Sequence, residues 1–300
     1  MTVRLGLQIP NFSYGTGVEQ LFPTVIAQAR EAESAGFDAV FVMDHFYQLP
    51  MLGSPDQPML EAYTALGALA TATTRVQLGA LVTGNTYRNP TLLAKAITTL
   101  DVVSAGRAIL GIGAGWFELE HQQLGFEFGT FTERFNRLEE ALQILDPMIK
   151  GERSTFSGDW YTTESAVAEP RYRERIPILI GGSGEKKTFS IAARYADHLN
   201  VIAGLDALPG KLDALAKRCD EAGRDRSTLE TSILLTVLLD ENAKPQTRQR
   251  MVAGGADYIT EQVQAKVLGA GVDGVIVNLP VYTPGVVAAV GDALRPLVGL

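Results

Sequence analysis

Val3-Arg4-Leu5-Gly6-Leu7-Gln8-Ile9-Pro10-Asn11-Phe12-Ser13-Tyr14 separates the two architectures open to a chain that alternates strands and helices. The apolar run Val3 to Ile9 is a buried strand, and Pro10-Asn11 closes it. An open doubly wound sheet carries its glycine fingerprint in the first strand-to-helix turn. Here that turn is Pro10 to Tyr14, with no glycine cluster. The apolar residues Val18, Leu21, Phe22, Val25, Ile26 and Ala29 then recur at helical spacing, Gly36 stops them, and Asp38 to Met43 gives a second buried strand ending in Asp44-His45.

The same step repeats along the chain. Helices are expected from about Leu60 to Thr74, Pro90 to Ser104, Phe131 to Ile149, Lys187 to Tyr195 and Pro209 to Ala222, between Gln246 and Leu268, and from Pro284 onward. Strands are expected at Val76 to Val82, Arg107 to Ile112, Ile176 to Ile180, Leu199 to Ala203, Thr231 to Leu239 and Gly274 to Leu279. These runs are short and apolar on both faces, as parallel strands covered by helices must be. The count of about eight steps predicts an α/β fold of one kind, a single (β/α)8 TIM barrel. Residues 151–175 break the rhythm; with Phe156 to Tyr161 read as strands around a turn, they form an insertion near the barrel mouth. No composition shift divides residues 1–300, so one domain is expected.

Composition narrows the function classes. Of 300 residues 46% are hydrophobic, and 26 basic against 34 acidic side chains leave a net charge of −8. That excludes a largely disordered chain and gives no footprint for nucleic acid or an anionic membrane. Met1 to Gly6 lack the charged-then-apolar run expected of a signal peptide, no apolar run reaches the roughly 20 residues of a membrane helix, and a single cysteine, Cys219, fits an expected cytoplasmic setting.

Active sites of such barrels lie just beyond the carboxyl ends of the strands. Asp44-His45 ends the second run, where the histidine is either packed on Phe46 and Tyr47 or a proton donor. Thr83 to Pro90 ends the third with hydroxyls, an amide and Arg88. Gly111-Ile112-Gly113-Ala114-Gly115-Trp116 ends the fourth, and its glycines either admit something bulky or relieve crowding. Gly181-Gly182-Ser183-Gly184-Glu185-Lys186-Lys187-Thr188 follows the fifth and reads as an anion loop or a flexible turn; Lys186 stands where a P-loop needs glycine. His121 and His198 are read as structural, and no metal-binding spacing is present.

Taken in order, Asp44-His45-Phe46, Val82 to Pro90, Leu110 to Trp116 and Ile180 to Gly184 make the chain resemble the luciferase-like monooxygenase superfamily. Within it the resemblance is to the actinobacterial oxidoreductases that use coenzyme F420, a 5-deazaflavin. The resemblance implies a TIM barrel with its flavin-like ring in the mouth and hydride transfer to or from a small organic substrate. By the same match Asp44 and His45 line the cavity, with His45 the candidate proton donor. Leu81, Val82 and Thr83 form a bulge under the ring, where relatives often hold a non-prolyl cis peptide. Gly113, Gly115 and Trp116 border the cofactor, and Gly181, Gly182, Ser183 and Gly184 receive its phosphate, helped by Lys186 and Lys187. Trp116 departs from the catalytic glutamate that sugar-phosphate dehydrogenases of this group carry there, which tells against sugar phosphates. FMN is the alternative cofactor and would imply a monooxygenase; a non-catalytic flavin-binding barrel is the third reading. Family members often form homodimers.

Overall fold

The computed structural model describes residues 4–298. Val3, the first residue of the expected opening run, lies outside them. Eight parallel strands form the barrel: β1 (Arg4–Ile9), β2 (Ala39–Val42), β3 (Gln77–Ala80), β4 (Ala108–Gly113), β5 (Ile178–Gly182), β6 (His198–Val201), β7 (Glu230–Leu239) and β8 (Gly274–Asn278). Each pairs with the next, and Arg4 opposite Gly274 joins the last strand to the first, so the ring has no free edge.

Strand side chains alternate between two apolar compartments. Leu5, Leu7, Val40, Val42, Leu78, Leu110, Ile112, Ile178 and Ile180 face outward into one continuous core with the helices. Ala39, Phe41, Ile109, Leu179 and Ile276 point inward and fill the barrel, with Leu81 above them. Two-sided burial is why these strands lack polar alternation. The amino-terminal end is closed by polar groups: Arg4 donates to Glu230 (3.1 Å) and Gln77 (2.8 Å). His198 Nε2 meets Ser232 Oγ at 2.7 Å, and burial pushes its pKa down to about 3, so it is a neutral structural group.

The helices are α1 (Val18–Ser34), α2 (Ala62–Ala72), α3 (Pro90–Val103), α4 (Glu118–Leu124), α5 (Phe131–Ile149), α6 (Thr188–Tyr195), α7 (Leu208–Glu221), α8 (Ala256–Gln262) and α9 (Val286–Leu294). Asn89 caps α3, accepting from the Thr91 amide, and Pro90 opens it. The insertion contains an antiparallel hairpin, Ser154–Ser157 with Thr162–Ala166. It lies along α5, whose Glu140 accepts from the amides of Asp159 (2.7 Å), Trp160 (3.0 Å) and Tyr161 (3.2 Å).

Two readings of local structure change. Gln246 to Gly254, expected as helix, is a strand pair: Gln246–Arg248 folds antiparallel onto Met251–Gly254, which pairs parallel with Thr236 to Leu239 of β7. The turn between them holds Gln249 at φ 48° and contains no glycine, so it carries no turn signal. The expected run Val76 to Val82 is interrupted after Ala80, and Thr83–Gly84 resumes pairing on β4 opposite Ile112 and Gly113.

Candidate active site at the barrel mouth

At the end of β2 the chain turns on Asp44, which is 3% exposed. Arg88 grips its carboxylate with two bonds, of 2.7 and 2.9 Å, and the Gly84 amide adds a third at 3.0 Å. Arg88 also donates to Glu61 (2.6 Å), which caps α2 through the amides of Tyr63 and Thr64, and its guanidinium lies 5.0 Å from the centre of the Tyr63 ring. The Tyr63 hydroxyl meets Thr83 Oγ1 at 2.8 Å. Burial pushes the Asp44 carboxyl up while Arg88 opposes it; burial likewise works against the Arg88 charge, but Asp44 and Glu61 outweigh that and raise its pKa. Two charge-assisted bonds in fork geometry hold the pair together. The cluster ties the loops after β2 and β3 and the start of α2 into one unit.

His45, one residue on, reaches a different carboxylate. Its Nδ1 lies 2.9 Å from Glu120 Oε2, in α4. Glu120 is fully buried; Oε1 accepts the amides of Phe46 and Tyr47 (2.5 and 2.9 Å), and Oε2 also accepts from the Tyr87 hydroxyl. Burial alone would raise the Glu120 pKa, but hydrogen bonds from His45, Tyr87 and Tyr47 outweigh it and hold the group below the ordinary carboxylate range. The imidazole meets the Trp116 and Phe117 rings edge-on, centroids 5.8 and 5.9 Å away. Trp116 is 54% exposed and forms one side of the opening beside His45. His121 is the structural group expected: its nitrogens meet the Phe117 carbonyl (2.8 Å) and Thr86 Oγ1 (2.7 Å), and its ring stacks on Tyr87.

The floor of the mouth is built at the break in β3. The Leu81–Val82 peptide is cis, as the resemblance implied. Gln8 donates to the Leu81 carbonyl (3.1 Å) and is itself held by Asn278 (3.2 Å), so residues of β1 and β8 fix the bulge. The glycines at the ends of β4 and β5 frame it. A Cβ on Gly113 would come within 2.9 Å of Val82 Cγ2, and one on Gly181 within 2.8 Å of Val82 Cγ1. Space left by these glycines is therefore taken by the Val82 side chain, which stands in the mouth between β4 and β5. Gly115 has φ +79°, a conformation open to glycine, and its carbonyl accepts from Arg134 (3.1 Å).

The loop Gly181 to Lys187 leads from β5 into α6. Lys211 of α7 donates to the Ser183 carbonyl (3.1 Å) and to Glu185 (2.7 Å), and Arg218 donates to the Glu185 carbonyl (2.9 Å). Lys186 and Lys187 are exposed beside it. Small residues, a helix start and a cluster of cations are a donor set suited to a phosphate. Among the described residues no group of three or more His, Cys, Asp or Glu side chains is placed to hold a metal ion.

The structure thus brings Asp44, His45, Leu81 to Thr83, Gly113 to Trp116 and Gly181 to Gly184 to one end of the barrel. Tyr87 and Arg88, within the Thr83 to Pro90 stretch, carry no role in the sequence reading, and Glu120, Glu61, Tyr63, Gln8 and Asn278 acquire theirs only in the structure.

A closed barrel with polar and aromatic groups gathered at its carboxyl end and a cis-peptide bulge as its floor defines a class, and the family comparison gives the same one. The chain belongs to the luciferase-like monooxygenase family, whose model matches residues 3–289. It is 36% identical over 229 residues to the F420-dependent glucose-6-phosphate dehydrogenase of Microbacterium testaceum (73% of this chain, 66% of that one). It is 35% identical over 248 residues to the enzyme of the same name from Nakamurella multipartita (79% and 71%). The chain therefore spans about two thirds of the length of these relatives. The fold is also that of an F420-dependent secondary alcohol dehydrogenase solved with an F420–acetone adduct, with a TM-score of 0.84, 20% identity and 99% of each chain covered. Among the described residues no helix is long and apolar enough to cross a membrane.

Proposed function

We infer that this protein is an F420-dependent oxidoreductase that transfers a hydride between the deazaflavin and a small organic substrate. The observation that carries the reading is the mouth itself: a histidine with a buried carboxylate behind it, beside a raised apolar floor and a phosphate-type loop, in a chain one third identical to F420-dependent enzymes. When bound, the deazaflavin supplies or accepts a hydride at C5 and lacks the oxygen chemistry of reduced FMN.

The residues divide the remaining work. Leu81, Val82 and Thr83 support the ring, with Val82 as the contact and Gly113 and Gly181 as the gaps that let it stand there. Gly115 and Trp116 border the ring and substrate. Gly182, Ser183 and Gly184 hold the phosphate, with the cations of α7 and Lys186 and Lys187 supplying attraction that a net charge of −8 cannot. Asp44 acts through the loop it fixes, because its oxygens are committed to Arg88 and Gly84. His45 holds or moves the proton at Nε2 when hydride leaves or enters the substrate.

Trp116 stands where the resemblance places the carboxylate used in sugar-phosphate oxidation, which tells against glucose 6-phosphate as the substrate. Two chains pair in solution by analogy with the family, and the single cysteine, Cys219, favours a reducing cytoplasm; sedimentation tests the first and fractionation the second. Replacement of His45 by alanine tests the chemistry: F420 affinity stays within about threefold while turnover falls about 100-fold or more. Unchanged turnover on a substrate of the parent enzyme removes His45 from proton transfer.

A further inference from the structure

The catalytic histidine has two ring nitrogens, and only one can serve the substrate. Glu120 settles which. Its carboxylate, ionised and fully buried, has no hydrogen to give. Oε1 is occupied by the amides of Phe46 and Tyr47, and Oε2 by the Tyr87 hydroxyl and by His45 Nδ1 at 2.9 Å. An acceptor facing Nδ1 requires the proton there, so neutral His45 is the Nδ1–H tautomer. Nε2 has no hydrogen-bond partner among the described residues, and the imidazole is steadied by the edges of Trp116 and Phe117.

We propose that Glu120 is the positioning residue of this site, fixing His45 in the tautomer whose free Nε2 faces the substrate and balancing the imidazolium when that nitrogen is protonated. The inference rests on the reading of His45 as the proton-transferring group. For a substrate that carries a hydroxyl, oxidation would break its O–H bond with the proton going to Nε2 while a bound deazaflavin took the hydride from carbon; in reduction the same proton would return to oxygen. Glu120 takes part in neither transfer and keeps both protons' places defined. It enters from α4 and touches His45 at Nδ1, the nitrogen opposite Nε2 on the ring.

Glu120→Gln makes the claim sharp. The amide oxygen of glutamine is required by the Phe46 and Tyr47 amides, which leaves its NH2 facing His45 Nδ1. A donor there inverts the ring, placing the proton on Nε2 and leaving no base at the substrate. The expected result is a fall in kcat of about 10²–10⁴-fold with KM within about threefold and F420 affinity retained. The direct readout is nitrogen NMR of ring-labelled histidine in the cofactor-free protein, the His45 signals being assigned among the three histidines by His45→Ala. The parent shows Nδ1–H, Glu120→Gln shows Nε2–H, and Tyr87→Phe, which leaves the carboxylate in place, keeps the parental tautomer.

An Nε2–H ring in the parent overturns the proposal, and that measurement stands even if Glu120→Gln folds poorly. So does a Glu120→Gln protein with full kcat, or a tautomer that inverts in Tyr87→Phe. Failure of the parent to bind F420 while the Nδ1–H tautomer is observed contradicts the functional reading instead, so the two are separable.

Discussion

Gly181 and Gly113 carry their meaning through a third residue. Their missing side chains are the room into which Val82 fits, so Gly181→Ala pushes against two methyl groups of Val82, at 2.8 and 3.1 Å. Overpacking of this kind costs about 1–3 kcal/mol, and here it also moves the floor of the cofactor site. Gly181→Ala is expected to weaken F420 binding about tenfold or more, and Val82→Ala added to it restores part of the loss, read by equilibrium titration of all three variants. Simple additivity would show that the glycine acts elsewhere. Arg88→Ala tests the other wall: it strands Asp44, 3% exposed, without its counter-ion, and is expected to cost about 3–5 kcal/mol in denaturant unfolding. At this scale the sequence named the motifs but not their partners. His45 was visible as a polar residue at a strand end, whereas Glu120 and Arg88 acquire their function by contacts 75 and 44 residues away, which no local pattern encodes.

Elements were legible where local chemistry and tertiary packing agree. α5 was read as Phe131 to Ile149 and runs over those residues, because an apolar stripe coincides with a capping box in which Thr130 and Glu133 satisfy each other's amides at 3.2 and 2.6 Å. Thr130→Ala is expected to remove about 1 kcal/mol of stability and lower Tm by a few degrees without altering cofactor affinity; a change in affinity would mean that the start of α5 belongs to the site. Gln246 to Gly254 was misread because glutamine, arginine, methionine and alanine favour helix, while its strand pairing is imposed by the upper half of β7, from Thr236 to Leu239. The helix α4, which delivers Glu120, was not foreseen: it has seven residues, Phe117 offers no side-chain cap, and only Gly125 at φ +77° marks its end.

The whole barrel was foreseen from its alternation, since eight two-sided apolar strands leave no other closed arrangement of this length. Its acid side chains set its response to pH. Glu33, Glu61 and Glu120 are each pushed up by burial and pulled further down by their donors: three backbone amides for Glu33, the amides of α2 with Arg88 for Glu61, and His45 with Tyr87 for Glu120. Folded pKa values below the unfolded ones mean that the stability they add is present above the ordinary glutamate range, about 4.3, and is lost as pH falls through the folded values. Asp44, raised by burial, works in the opposite sense. Thermal unfolding between about pH 6 and pH 3 should show Tm falling across this window, and less steeply in Glu33→Gln; an equally steep fall in that variant would exclude Glu33 from the linkage.

The net charge of −8 cannot draw an anionic cofactor to the molecule, so recognition rests on the mouth alone, and the identity of the cofactor decides the reaction class. Titration of the purified protein with F420 and, separately, with FMN, followed by quenching of the Trp116 fluorescence in a Trp160→Phe background, measures this directly. The account predicts saturable quenching by F420 and none by FMN at the same concentrations. Saturable binding of FMN with none of F420 would contradict it and make the protein a flavin monooxygenase.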